Sequence, residues 1–111
     1  MKAQYELRPD LALIADWTPA GSRILDLACG DGSLLHYLQA QKNCFGYGVE
    51  IDDNQVLACV DRGVNVIQRD IEDGLDLFGN TSFDLVVLSM AIQVTHRTEH
   101  VLREMSELGA E

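Results

Sequence analysis

The chain has 111 residues, 47% of them apolar, and its 18 acidic against 8 basic side chains give a formal charge of -10. At that length one domain is the ceiling, and so high an apolar fraction excludes a disordered acidic tail. With no run of Lys or Arg to draw phosphate backbones or anionic lipids, neither nucleic acid nor a membrane surface is an expected partner.

In chain order, Asp10–Trp17 reads as a helix with Asp10 near its N-cap, broken at Pro19-Ala20-Gly21-Ser22. Arg23–Ala28 is short and almost continuously apolar, as a strand buried on both faces of a parallel sheet should be. The Gly30-Asp31-Gly32-Ser33 loop leads into a helix over Leu34–Ala40. Phe45–Ile51 is a second strand, and Asp52-Asp53-Asn54 caps a helix from about Gln55 to Arg62 that stops at Gly63. Val64–Gln68 is the third strand, the Gly79-Asn80-Thr81-Ser82 cluster a turn, and the β-branched run of Phe83–Ser89 the fourth strand. A last helix spans roughly Thr98 to Leu108.

This alternation is the signature of βαβ units and predicts an α/β, Rossmann-like parallel sheet with helices on both faces. The chain ends at Gly109-Ala110-Glu111 with no further strand to cover one sheet edge. An edge as apolar as Phe83 to Leu88 invites aggregation unless paired. The expectation is therefore a piece of a longer chain, truncated after the fourth strand, or self-association through that edge. No window approaches the ~20 apolar residues of a bilayer span, and Met1 to Arg8 lacks the apolar stretch of a signal peptide, which predicts a cytoplasmic protein. Cys29, Cys44 and Cys59 fit neither a disulfide framework nor a paired zinc site and are expected as reduced, mostly buried thiols.

Ligands of doubly wound sheets sit beyond the carboxyl ends of the strands. After strand one, Asp26-Leu27-Ala28-Cys29-Gly30-Asp31-Gly32 brings backbone N–H groups to a helix N-terminus. Glu50 ends strand two, near the ~20-residue offset at which an acidic side chain grips ribose hydroxyls. Asp70 ends strand three as an acceptor for an exocyclic amino group, and Ile71 offers a surface for a base. A dinucleotide site wants a third glycine where this chain has Leu35, and Asp26 repels a pyrophosphate but suits an ammonium and a sulfonium. S-adenosylmethionine fits these features. Asp31, Asp52 and Asp53 read as helix-cap or surface charges.

Ile24-Leu25-Asp26-Leu27-Ala28-Cys29-Gly30-Asp31-Gly32-Ser33 resembles motif I of class I S-adenosylmethionine-dependent methyltransferases. Leu7-Arg8-Pro9-Asp10-Leu11, Tyr47-Gly48-Val49-Glu50-Ile51-Asp52-Asp53, Leu57-Ala58-Cys59-Val60 and Arg62–Gln68 are similar to the MetW family of methionine biosynthesis proteins. The resemblance implies a seven-stranded fold of which residues 1–111 are a single domain holding the cofactor-binding half. It implies cofactor contacts from Asp26, Ala28, Cys29, Gly30, Gly32, Glu50, Ile51, Asp70 and Ile71, with Ser89 near the reacting end. Ala28 departs from the usual glycine, which a negative φ tolerates. The family association further implies a role beside homoserine O-acyltransferase. The other reading is a methyltransferase, a transferase acting on a small-molecule acceptor, whose chemistry needs alignment more than acid–base groups.

His96-Arg97-Thr98-Glu99-His100 matches the His-x-x-Glu-His pattern of zinc peptidases but reads better as solvated residues opening a helix. No metal is expected. His36 reads as a surface or packing residue. Cys29 stands at a helix N-terminus, where a thiol pKa is lowered and reactivity becomes possible, although no motif places a histidine partner. Leu88-Ser89-Met90-Ala91 lacks the Asn/Asp-Pro-Pro-aromatic motif of DNA amino-methyltransferases, in line with the charge.

Overall fold

The structure, a computed structural model, describes residues 7–74 and 83–89. Its elements are α1 (Pro9–Trp17), β1 (Arg23–Asp26), α2 (Ser33–Lys42), β2 (Phe45–Glu50), α3 (Asp53–Asp61), β3 (Val66–Gln68), a 3-10 turn (Ile71–Asp73) and β4 (Leu85–Val87). The expected helix at Thr98–Leu108, the Gly79–Ser82 turn and the His96–His100 pattern lie outside the described residues.

Boundaries moved for identifiable reasons. Pro9 has no N–H to satisfy and takes the first helical position of α1, so Arg8 is the N-cap and Asp10 falls in the first turn. β1 stops at Asp26, although Leu27 N–H still reaches Val87 O at 2.8 Å. Val64 N–H closes the end of α3 on Cys59 O at 2.9 Å instead of joining the sheet, which delays β3. β4 ends at Val87, and the Ser89 N–H turns to the Asp26 carboxylate at 3.1 Å. Asp52 caps α3 as expected, accepting from Gln55 N–H at 3.0 Å.

The four strands are parallel in the order β3-β2-β1-β4. The chain steps outward from β1 to β3 and then crosses back to the far side of β1. The reversal between β1 and β4 is the switch point of a doubly wound sheet. β4 is an edge strand among the described residues, as the sequence led one to expect.

Alternation divides the core. Ile24 faces Leu11, Ala15, Leu34, Leu35, Leu38 and Cys59 from the three helices, while Leu25, Leu27, Val49, Phe83 and Val86 form a second cluster on the opposite face. The described helices therefore cover one face, not both. On the other, Phe45 is 72% exposed and Tyr47 45%. Lys42 ties the end of α2 to that of α1, its ammonium donating to Ala15 O and Thr18 O at 2.6 Å each. No described helix is long and apolar enough to cross a membrane.

Candidate functional site

The loop after β1 lies at the switch point, and two left-handed glycines shape it. Gly30 has φ +57° and Gly32 φ +81°. A Cβ on Gly32 would stand 3.0 Å from Cys59 Sγ and 3.2 Å from Val64 Cγ2, so the loop rests directly on the end of α3 and the turn that follows it. Asn43 is the one non-glycine with positive φ among the described residues, so Ala28 carries no left-handed strain and the departure from glycine is tolerated.

Asp26 anchors this loop to β4. Its Oδ1 accepts from Ser89 N–H at 3.1 Å and Ala28 N–H at 3.3 Å, and the Ser89 hydroxyl donates to Ala28 O at 3.2 Å. The side chain is fully buried, and Oδ2 has no hydrogen-bond partner. A buried acceptor left unsatisfied costs free energy unless a ligand fills it. Burial pushes the Asp26 carboxyl above the usual carboxylate range, the Ser89 and Ala28 hydrogen bonds pull it back in part, and the Glu50 charge adds to the rise.

The folded chain thus holds the Asp26 proton more tightly than the unfolded chain. This contribution to stability is greatest below the ordinary value of 3.8 and declines as pH rises from there through the raised value. Asp26→Asn keeps an acceptor for Ser89 and Ala28 and is expected to flatten that decline. Urea midpoints between about pH 4 and 7 measure it, and an unchanged pH profile in the variant would remove Asp26 as the cause.

Glu50, at the end of β2, is bound on both oxygens. Oε1 accepts from Gly30 N–H at 2.8 Å, while Oε2 accepts from Ile51 N–H at 3.1 Å and Asp52 N–H at 3.0 Å. One carboxylate therefore joins the glycine loop to the turn that starts α3. Asp70 caps the 3-10 turn through Glu72 N–H at 2.9 Å, at the end of β3. Ile71 is half-buried against the Leu25 cluster, whereas Ile51 is 60% exposed. Asp31 takes the Ser33 amide at 3.0 Å and the Ser33 hydroxyl, and meets Arg62 at 3.5 Å. Partial burial raises its pKa, but these partners outweigh it and leave the group below the usual value. Of the two readings, helix cap or surface charge, the second holds for Asp31: the N-cap of α2 is Gly32, and the Asp31 side chain is 43% exposed.

Cys29 corrects the sequence reading. It is 2% exposed, with its Sγ 3.7 Å from that of Cys59, which also donates to Gly30 O at 3.2 Å. Burial, then the neighbouring Cys59 and Asp26, push the Cys29 thiol far up, so the helix N-terminus does not activate it. Cys59 is likewise raised by burial. Both thiols are packing beneath the loop. All three cysteines are free and buried, as their spacing suggested.

The structure gathers the site residues into two bonded groups along one loop, Asp26 with Ala28 and Ser89, and Gly30 with Glu50, and places Asp70 and Ile71 at the next strand end. It also brings in residues to which the spacing argument assigned no role. A cavity of about 220 Å³ beside the loop is lined by Leu7, Arg8 and Leu11 from the segment before β1, together with Cys29, Asp31, Ser33, Leu34 and Gln55. Strand-end reasoning looks only after strands, and a segment that precedes β1 escapes it.

Residues 8–111 match the family described as methionine biosynthesis protein MetW. The bifunctional methionine biosynthesis protein MetXA/MetW of Rhodopirellula baltica is 34% identical across 93% of this chain and 18% of its own length. A SAM-dependent methyltransferase from Archaeoglobus fulgidus shares the fold with a TM-score of 0.76 at 22% identity, covering 89% of this chain and 45% of that one. Coclaurine N-methyltransferase bound to N-methylheliamine and SAH gives a TM-score of 0.70 at 27% identity, covering 89% of this chain and 31% of that one. The chain thus spans under half the length of each of these proteins. With its loop, strand order and sequence in agreement, the chain belongs to the MetW family of methionine biosynthesis proteins and has the fold of class I S-adenosylmethionine-dependent methyltransferases.

Proposed function

We propose that residues 1–111 are the cofactor-binding half of a single MetW-type domain that binds S-adenosylmethionine and acts beside homoserine O-acyltransferase in the cytoplasm. The observation that carries the binding step is the unpartnered, fully buried Asp26 Oδ2 beside two left-handed glycines at the switch point. In this reading Asp26 serves the ammonium end of the ligand, and Ala28, Cys29, Gly30 and Gly32 supply the backbone along its methionyl part. Glu50 holds the ribose, Ile51, Asp70 and Ile71 flank the adenine, and Ser89 stands near the reacting end. A carboxylate has about four acceptor positions, and three on Glu50 are taken by backbone N–H groups. Glu50 therefore meets the ligand already oriented.

Bound S-adenosylmethionine supplies a sulfonium and a transferable methyl group. What these residues do for it is orientation and charge balance, which serves sensing and methyl transfer alike. The acyltransferase partnership is supported by a relative whose name joins MetXA and MetW in one protein. A methyltransferase acting on a small-molecule acceptor is the second reading, favoured by the likeness to coclaurine N-methyltransferase. An acyltransferase assay with and without the full-length protein tests the partnership: activity is expected to rise on its addition, and an indifferent acyltransferase sinks the idea. Release of labelled methyl onto an acceptor would move the assignment to the second reading.

A further inference from the structure

We propose that Arg69 is a positioning residue for the base-binding end of the site, clasping the turn that carries Asp70 and Ile71 and so setting selectivity for an amino-substituted purine; the assignment rests on the S-adenosylmethionine reading above. Arg69 follows β3 directly, and its own N–H donates to Glu50 O at 3.1 Å. Its guanidinium reaches forward over the 3-10 turn, Nε donating to Gly74 O at 2.9 Å and Nη2 to Asp73 O at 3.0 Å. The carbonyls that end a helical turn have no partner within it. The Nε–Nη2 edge of an arginine presents its donors in a fixed fork, which here meets two successive carbonyls. One half-buried side chain thereby joins the strand end that carries Glu50 to the far end of the turn.

What the clasp holds is the pair of residues assigned to adenine. Asp73 N–H donates to Asp70 O at 2.9 Å and Gly74 N–H to Ile71 O at 3.2 Å, so the residues that Arg69 grips are those bonded back to Asp70 and Ile71. Inside the turn, Glu72 N–H fixes Asp70 Oδ1 at 2.9 Å. A carboxylate held on one oxygen presents the other in a set direction, as the acceptor that an exocyclic amino group needs. Ile71 is held in turn against the Leu25 cluster. Charge gives the clasp a second task. Asp70, Glu72 and Asp73 put three carboxylates within four positions, and residues 70–84 contain no Lys or Arg. Their mutual repulsion opposes a tight turn, and the Arg69 cation lies on its closing carbonyls.

The experiment compares S-adenosylmethionine with S-inosylmethionine, which differs only at the base, where a carbonyl oxygen replaces the exocyclic amino group. Calorimetry on the full-length protein is expected to show wild type favouring the first ligand by at least about 10-fold, and Arg69→Met bringing that ratio below about 3-fold, chiefly by weakening S-adenosylmethionine. Arg69→Lys, a cation without the fork, should recover part of the preference. A base preference left intact in Arg69→Met, whether or not its thermal midpoint falls, makes the clasp merely structural and overturns the proposal. So does a wild-type protein that binds the two ligands alike, and either result leaves the cofactor reading standing. A wild-type protein that binds neither ligand overturns both.

Discussion

Glu50→Gln is expected to weaken binding of S-adenosylmethionine by about 1.5–3 kcal/mol, roughly 10- to 100-fold. Both oxygens of Glu50 accept, one from the glycine loop and the other from the turn before α3. An amide has one acceptor and one donor end, so glutamine must present N–H₂ either to Gly30 N–H or to those of Ile51 and Asp52. One side is released in either orientation. The negative charge is also lost at the position assigned to the ribose hydroxyls. Glu50→Asp retains the charge but shortens the reach and should fall between the two. Calorimetry with S-adenosylmethionine reads the effect, since Trp17 is exposed at the end of α1 and reports poorly on the loop. Wild-type affinity in a folded Glu50→Gln protein would contradict the placement.

Gly48→Ala is expected to cost about 2–3 kcal/mol of folding stability, a heavier loss than a surface substitution produces. Gly48 pairs with Asp26 across β1 and β2. A Cβ added there would sit 2.5 Å from Cys29 Sγ, 2.9 Å from Cys29 Cβ and 3.2 Å from Leu35 Cδ1. Leu35 is held in the core, and Cys29 is pinned by its own N–H to Val49 O at 3.2 Å. The methyl group therefore makes room only by lifting the loop, and ligand affinity should drop together with stability. Urea unfolding followed by circular dichroism gives the first number and calorimetry the second. Stability equal to wild type would mean that the loop yields freely and does not depend on this close approach.

The sequence by itself determined the order of elements and which residues stand at most of the strand ends. Alternating apolar runs and helical spacings carry local information, and the residue after each strand follows from where that strand stops. Asp26, Gly30, Gly32, Glu50 and Asp70 were legible for this reason. So was the burial of the three cysteines, since their spacing offered no pairing and a free thiol packs as a small apolar group.

Tertiary structure decided what depends on contacts between distant segments. That Glu50 grips Gly30, that Asp26 and Ser89 close the switch point, and that Arg8 hangs on Ser89 O are bonds across 20, 63 and 81 positions. No periodicity encodes them. Cys29 illustrates the difference in physical terms. Its local position, at a helix N-terminus, argues for a lowered pKa, but its surroundings are Cys59, Gly30 and the Gly48 backbone, and the side chain is buried. Desolvation then outweighs the dipole and raises the pKa, because the energy of a charge is set by the medium around it. A linear sequence carries the dipole of the next helix, while the medium exists only once the chain has folded.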